Sequence, residues 1–242
     1  AKVVSLVVTG TNDVPTITAY TDTVAEISLS GSISLADVGM VDLDTTDVVT
    51  FVAFTDETTR VVDTDNVGIG SISVSMDDTG SYTLTGAGIE NLGANESATV
   101  SFDIQVIDDS GDIATATSVA KTITLTIDGS NDLPSIAAAA IAADEAGVPT
   151  GIQTIYTGDL AVTDIDTNDA HTFTVSTPIA ASEVIDGLEL TITNAATGAY
   201  TIAGNFDHLA LGETTTVTFD YVATDDSGDG TNNASVPKTV TL

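Results

Sequence analysis

Four blocks of this sequence occur twice, in the same order. Asn12-Asp13-Val14-Pro15 returns as Asn131-Asp132-Leu133-Pro134, and Asp42-Leu43-Asp44-Thr45-Thr46-Asp47 returns as Asp164-Ile165-Asp166-Thr167-Asn168-Asp169. Gly80-Ser81-Tyr82 returns as Gly198-Ala199-Tyr200. The stretch from Glu96 through Asp108-Asp109-Ser110-Gly111-Asp112 to Lys121 returns as Glu213 through Asp225-Asp226-Ser227-Gly228-Asp229 to Lys238. The spacing drifts by only a few residues, which is the drift of loop length. A chain that repeats itself in this way builds two copies of one unit, each with its own core. The first ten residues follow the same rule, because Ala1-Lys2 through Leu6 to Gly10 match Ala120-Lys121 through Leu125 to Gly129. The sequence therefore divides into residues 1–10, the last strand of a preceding repeat; residues 11–129, repeat 1; and residues 130–242, repeat 2.

Within each repeat the hydrophobic period is two. Thr99 to Val106 and Lys121 to Ile127 alternate polar and apolar, as half-buried antiparallel strands do. Gly, Asn and Asp punctuate these runs about every ten residues. Ala137 to Ala143 has a helix-forming composition, but it follows Pro134 where repeat 1 has the strand-like stretch Thr16 to Tyr20, so it too reads as extended. The expected fold is all-β: two tandem immunoglobulin- or cadherin-like β-sandwiches of about seven strands each. The joins carry Val14-Pro15 and Leu133-Pro134. Proline fixes φ and biases the preceding residue to an extended backbone, so the expected link between repeats is short and stiff.

Charge narrows the chemistry. The chain has 36 acidic and 4 basic residues, a net charge of −32, and no cysteine. Such a surface repels nucleic acid and anionic membranes. No run approaches the ~20 apolar residues of a membrane span, and no targeting segment opens the chain, so it reads as an internal fragment with no membrane insertion. At 42% hydrophobic residues, the composition is not that of a disordered acidic tail.

The acids are grouped. In a seven-stranded sandwich the chain entry, the loop between the second and third strands and the loop between the last two strands meet at one pole. That geometry gathers Asn12, Asp13, Asp42, Asp44, Asp47, Asp108, Asp109 and Asp112 in repeat 1. In repeat 2 it gathers Asn131, Asp132, Asp164, Asp166, Asp169, Asp225, Asp226 and Asp229. Carboxylates so concentrated repel one another unless a cation neutralises them, and Ca²⁺ takes about six to eight oxygen ligands of this kind. Glu26, Glu145, Glu96 and Glu213 are weaker candidates, with Glu96 and Glu213 expected at the opposite pole. Asp63, Asp65, Asp77 and Asp78 do not recur in register and read as solvated loops.

Catalytic patterns are missing. Ser110 and Ser227 sit beside aspartates but lack a histidine base. His171 and His208 align with Val49 and Asn91 and form no matched pair, which suits a structural or surface role. Gly68-Ile69-Gly70 and Gly86-Ala87-Gly88 lack the third glycine and the helix of a dinucleotide site. Aromatic residues make up 5% of the chain, with no Trp, so no carbohydrate-stacking platform is evident. Lys2, Lys121 and Lys238 each open an equivalent terminal strand, where lysine on an edge would discourage edge-to-edge pairing.

Together the Asn-Asp-x-Pro joins, the Thr163 to Phe173 segment, the Gly-x-Tyr strand and the Asp-Asp-Ser-Gly turns resemble the VCBS, or bacterial cadherin-like, repeat of large RTX-type adhesins. The likeness runs over essentially the whole chain. Repeat 1 departs from it at Val48-Val49, where repeat 2 has Ala170-His171, and by three extra residues before Asp42. The resemblance implies display on the bacterial cell surface after secretion, calcium at the joins and no enzymatic activity. Its partners would be the adjacent repeats of the same chain, in an extender that supports cell adhesion or biofilm. Two further expectations stand beside it. Residues 1–10 could serve strand exchange with neighbouring subunits of a filament or matrix, or the repeats could be a spacer in a secreted hydrolase.

Overall fold

The computed structural model describes residues 2–112, 114–145, 151–227 and 233–242. The chain is all-β and divides into two compact units, Ala1–Ser130 and Asn131–Leu242. Unit 1 contains β1 (Tyr20–Ala25), β2 (Ser30–Ser32), β3 (Thr50–Phe51), β4 (Phe54–Thr58), β5 (Arg60–Asp63), β6 (Ile72–Met76), β7 (Ser81–Gly86), β8 (Ser97–Ile104), β9 (Val106–Ile107) and β10 (Lys121–Asp128). Unit 2 contains β11 (Ala139–Ala140), β12 (Gln153–Asp159), β13 (His171–Ala181), β14 (Asp186–Asn194), β15 (Ala199–Asn205), β16 (Val217–Asp225) and β17 (Lys238–Thr241).

Each unit packs two main sheets. In unit 1 the strand orders are β1-β10-β8-β5 and β2-β7-β6-β4, with β3 and β9 paired separately. In unit 2 they are β11-β17-β16-β13 and β12-β15-β14. The long β13 spans the positions that unit 1 divides between β3 and β4. It keeps its pairing with β16 through register shifts between Val175 and Thr177 and between Thr177 and Ala180.

Period-two alternation becomes burial in both units. Along β16, residues from Val217 to Asp225 alternate buried and half-buried, and β8 behaves in the same way. Equivalent residues fill equivalent places: Tyr82 packs on Phe102 with ring centroids 6.4 Å apart, and Tyr200 packs on Phe219 at 5.4 Å. Aromatic pairs in such non-sandwich arrangements contribute beyond their buried area. Ser118 Oγ accepts the buried Val106 N–H at 3.0 Å, and Ser235 Oγ accepts that of Ala223 at 3.0 Å. Unit 1 has one continuous core, whereas in unit 2 a small cluster of Ile185, Phe206 and Val217 stands apart from the main one.

Three expectations need correction or refinement. Lys121 and Lys238 open inner strands, not edge strands, because β1 and β11 run parallel along the outer flanks of β10 and β17. The first strand of each unit crosses to that sheet and covers β10 from Ile123 to Asp128 and β17 at Val240 and Thr241, so the lysines stand just before the covered stretch. Asp63 is not a solvated turn residue: it accepts the backbone N–H groups of Val67, Gly68 and Ile69 at 3.0–3.2 Å. These bonds hold its carboxyl below the usual range against a rise from burial. Asp77, by contrast, is an exposed turn residue as expected, and hydrogen bonds from Thr79 and Ser81 lower its carboxyl. Ala139–Ala140 is a strand, short but paired in parallel with β17.

Candidate metal centre

At the pole where the chain enters each unit, the same hydrogen bonds are made twice. Asn12 Nδ2 donates to Asp108 Oδ2 at 3.1 Å, and Asn131 Nδ2 donates to Asp225 Oδ2 at 3.3 Å. The N–H of Asp13 donates to Asp44 Oδ2 at 2.6 Å, and that of Asp132 donates to Asp166 Oδ2 at 2.7 Å. Within each Asp-x-Asp loop the first carboxylate accepts the N–H of the second, at 3.0 Å from Asp44 to Asp42 and 3.3 Å from Asp166 to Asp164. This is the local bonding that makes Asp a turn residue. The last loop is tied to it by Val48 N–H donating to Asp109 Oδ1, and by Ala170 N–H donating to Asp226 Oδ1, both at 2.8 Å. Asp108 and Asp225 each accept the N–H two residues on, from Ser110 at 3.0 Å and from Ser227 at 3.1 Å. Three segments far apart in sequence are thus bound together at one pole, in each unit by itself.

The bonds point oxygens inward. In unit 2 one carboxylate oxygen each from Asp164, Asp169 and Asp225 lies within 4.8 Å of the others. Asp166 is 1% exposed, and among the described residues no donor reaches its buried Oδ1. Its carboxyl is pushed up to about 7, first by burial and then by the negative charges of Asp169, Asp132 and Asp164, against the favourable N–H of Asp132. In unit 1, Asp42 Oδ2 is buried and likewise meets no donor among the described residues. Burial raises the Asp47 carboxyl, and Asp44, Asp108, Asp109 and Asp42 raise it further. Asp108 runs the other way, lowered chiefly by its hydrogen bond with the Ser110 side chain and also by Asn12.

A buried carboxylate oxygen without a donor, among other carboxylates and with no lysine or arginine in the cluster, is short of positive charge. A hard divalent cation supplies it, and this all-oxygen donor set suits Ca²⁺. Asp164, Asp169 and Asp225 in unit 2 are grouped closely enough to hold such an ion, with Asp166 beside them. Asp42, Asp47, Asp108 and Asp44 are their counterparts in unit 1, tied by the same hydrogen bonds.

The other candidates fall elsewhere. Asp109 and Asp226 are exposed and brace the neighbouring loop. Asp112 is exposed and accepts Ala114 N–H within its own turn. Asp229 lies outside the described residues. Glu26 is buried and accepts both the N–H and the hydroxyl of Ser130, at the pole where the chain leaves unit 1. Glu96 is at that pole too, where its backbone oxygen accepts Gly129 N–H at 3.0 Å. Glu145 and Glu213 line an apolar groove in unit 2.

One member of the cluster escaped the sequence reading. His171 Nε2 lies 2.8 Å from Asp164 Oδ2, with both side chains largely buried. The available signal was weak: His171 is the first residue of the strand leaving the Asp164–Asp169 loop, and its counterpart in unit 1 is Val49. His208 is remote from this cluster and sits 3.5 Å from Glu183.

The fold and the acidic poles define the class: an all-β chain of two tandem sandwich units, each with a carboxylate cluster at its entry pole. No family model matches the sequence, and no curated protein matches it. Among solved structures, the chain is similar to the protocadherin gammaB4 extracellular domain, with 14% identity and a TM-score of 0.46 over 95% of this chain and 34% of that one. It is also similar to protocadherin gammaB7 EC3-6, with 14% identity and a TM-score of 0.47 over 95% of this chain and 52% of that one. A third similar structure is mouse protocadherin-24 EC1-3, with 16% identity and a TM-score of 0.43 over 94% of this chain and 70% of that one. The chain spans about a third and about half the length of the first two. Among the described residues, no helix is long and apolar enough to cross a membrane.

Proposed function

We propose that the chain is a non-catalytic extender of a secreted bacterial surface adhesin, in which Ca²⁺ at the entry pole of each repeat stiffens its join to the repeat before it. The observation that carries this reading is the duplicated hydrogen-bond pattern around the carboxylates, with a buried oxygen in each copy that no donor among the described residues reaches. The same bonds at the same pole of both units fit a structural device better than an active site, because a spacer array gains from repeating a brace. The VCBS-like motifs in the sequence support the bacterial surface setting. The Asn-Asp-x-Pro segment belongs to the join and also bonds to the cluster, through Asp13 to Asp44 and through Asp132 to Asp166. Ion binding there opposes any motion that pulls the join off the pole, which is a population shift toward ordered joins.

The test is small-angle scattering of the whole chain in a calcium chelator and in millimolar Ca²⁺, with thermal unfolding in both. The reading expects a narrower, more extended particle and higher melting temperatures with Ca²⁺. Identical scattering and identical melting would sink it.

A further inference from the structure

The two acidic poles differ at one oxygen. In each unit the first aspartate of the Asp-x-Asp loop has one carboxylate oxygen fixed by its own loop: Asp42 Oδ1 accepts Asp44 N–H at 3.0 Å, and Asp164 Oδ1 accepts Asp166 N–H at 3.3 Å. The second oxygens fare differently. Asp42 Oδ2 is buried and meets no donor among the described residues. Asp164 Oδ2 lies 2.8 Å from Nε2 of His171, with the aspartate side chain 3% exposed and the imidazole 15%. One substitution between the repeats causes this. His171 opens β13 directly opposite Asp225 on β16, so the two side chains leave the sheet on the same face. Val49 holds the matching place in unit 1, one residue before Thr50 pairs with Ile107, and it packs into the core. A valine has no proton to donate to Asp42.

A second difference goes with the first. One oxygen each from Asp164, Asp169 and Asp225 lies within 4.8 Å of the others, and among the described residues their counterparts Asp42, Asp47 and Asp108 form no such group. Like charges in a poorly hydrated space push apart, so a close trio needs something to hold it. The bonds from Asn12 and Asn131, and from Asp13 and Asp132, occur in both units and do not account for the difference. The bond from His171 to Asp164 belongs to unit 2 alone. Asp166 marks this pole as more than an acidic turn, because it is 1% exposed and no donor among the described residues reaches its Oδ1.

We propose that His171 is a positioning residue for the metal centre of unit 2: its Nε2–H holds Asp164 so that three carboxylates stand gathered before the ion arrives, whereas unit 1, with Val49 in that place, gathers its own only as the ion binds. This rests on the reading of the poles as calcium sites. An ionised carboxylate only accepts, so Nε2 carries the proton. The mutually close group is Asp164, Asp169 and Asp225 without His171, so the imidazole acts through Asp164 and is not itself a ligand. Hydrogen bonds to ligating side chains typically account for about 10–100-fold in metal affinity. A site already gathered also loses less of its binding energy to ordering. Unit 2 therefore fills at lower calcium than unit 1, and the chain responds to calcium in two steps.

Calcium titration of the full chain, followed by ¹H–¹⁵N NMR of the Asp44 and Asp166 amides, reads the two sites separately. The Asp166 amide should respond first, with an apparent dissociation constant about tenfold or more below that seen at Asp44. His171→Val should weaken unit 2 by about tenfold or more and leave the Asp44 response unchanged. His171→Gln, whose side-chain amide still donates, should restore part of the loss, and Val49→His should tighten unit 1. In chelator, ¹⁵N spectra of the imidazole should show a proton on Nε2. An Nε2 without a proton overturns the proposal. So does a His171→Val chain whose unit 2 melts lower in chelator but binds calcium as before, and in both cases the calcium reading of the poles stands. Absence of calcium binding at either pole overturns that reading and this inference with it.

Discussion

The backbone N–H of Asp132 donates to Oδ2 of Asp166 at 2.7 Å, while the other oxygen of that carboxylate is buried and meets no donor among the described residues. The first bond ties the join segment to the loop before β13. The second oxygen carries charge into a place where no donor among the described residues offsets it. The equivalent bond from Asp13 to Asp44 shows the same tie in unit 1, where the buried oxygen belongs instead to Asp42.

From this follows a calcium-dependent stability. At a free Ca²⁺ concentration of about one hundred times the dissociation constant, each occupied site should add ~2.7 kcal/mol to its own unit. Differential scanning calorimetry in chelator and in Ca²⁺ measures it. Transitions that coincide in the two conditions would show that the carboxylates bind no ion.

Replacing the buried charge separates the apo cost from the ion's benefit. Asp166→Asn keeps an oxygen to accept Asp132 N–H and removes the repulsion from Asp164, Asp169 and Asp132. Without calcium, unit 2 should gain ~1 kcal/mol, a rise of about 4 °C in its melting temperature. With calcium, the variant should lose most of the ion-induced shift. A variant that melts lower than the parent in chelator would contradict the charge argument.

The pH dependence has a definite sign. The folded-state pKa of Asp166 is about 7, above the ~3.9 of an unfolded aspartate. The folded unit therefore holds this proton more tightly, and its contribution is greatest below the unfolded value and lost as pH rises toward 7. Asp47 in unit 1 is shifted in the same direction. Asp63, Asp77, Asp103 and Asp220 are lowered and act oppositely, contributing above the unfolded value and losing it as pH falls through their folded values. In chelator, the parent should lose stability relative to Asp166→Asn between about pH 4 and pH 7. Melting curves of both proteins across that range check this, and parallel curves would refute it.

A backbone constraint is repeated as well. Gly80 and Gly198 have φ of 89° and 72°, and their carbonyls accept Ile33 N–H and Leu160 N–H, each at 3.0 Å. A Cβ at Gly80 would overlap the Ile33 carbonyl oxygen, and one at Gly198 would come within 3.0 Å of the Leu160 oxygen. Gly80→Ala should cost unit 1 about 1–3 kcal/mol from left-handed strain plus that overlap. Chemical denaturation should show the loss in unit 1 alone, with Gly198→Ala acting in the same way on unit 2. A neutral Gly80→Ala would mean that the turn relaxes.

Much of this protein was legible before any coordinates. Repetition of Asn-Asp-x-Pro, Asp-x-Asp and Gly-x-Tyr sets two copies of one unit, and period-two alternation sets strands with one face inward. These are local properties, carried by residue type and spacing, because a strand's side chains alternate whatever it packs against. That the entry segment and two loops meet at one pole also follows from strands that reverse direction at each turn.

What only the tertiary structure decided depends on which groups lie across a gap from which. Nothing in its spacing distinguishes Asp166 from Asp44, yet Asp166 is buried and Asp44 is half exposed, because packing around the loop differs between the units. His171 reaches Asp164, while its counterpart Val49 has no polar side chain to offer Asp42, and Glu26 accepts from Ser130. Lys121 and Lys238 open strands whose later residues, from Ile123 and from Val240, are flanked by the first strand of the unit. Burial and pairing are set by many neighbours at once, and a linear pattern records the tendency of each residue but not the company it finds.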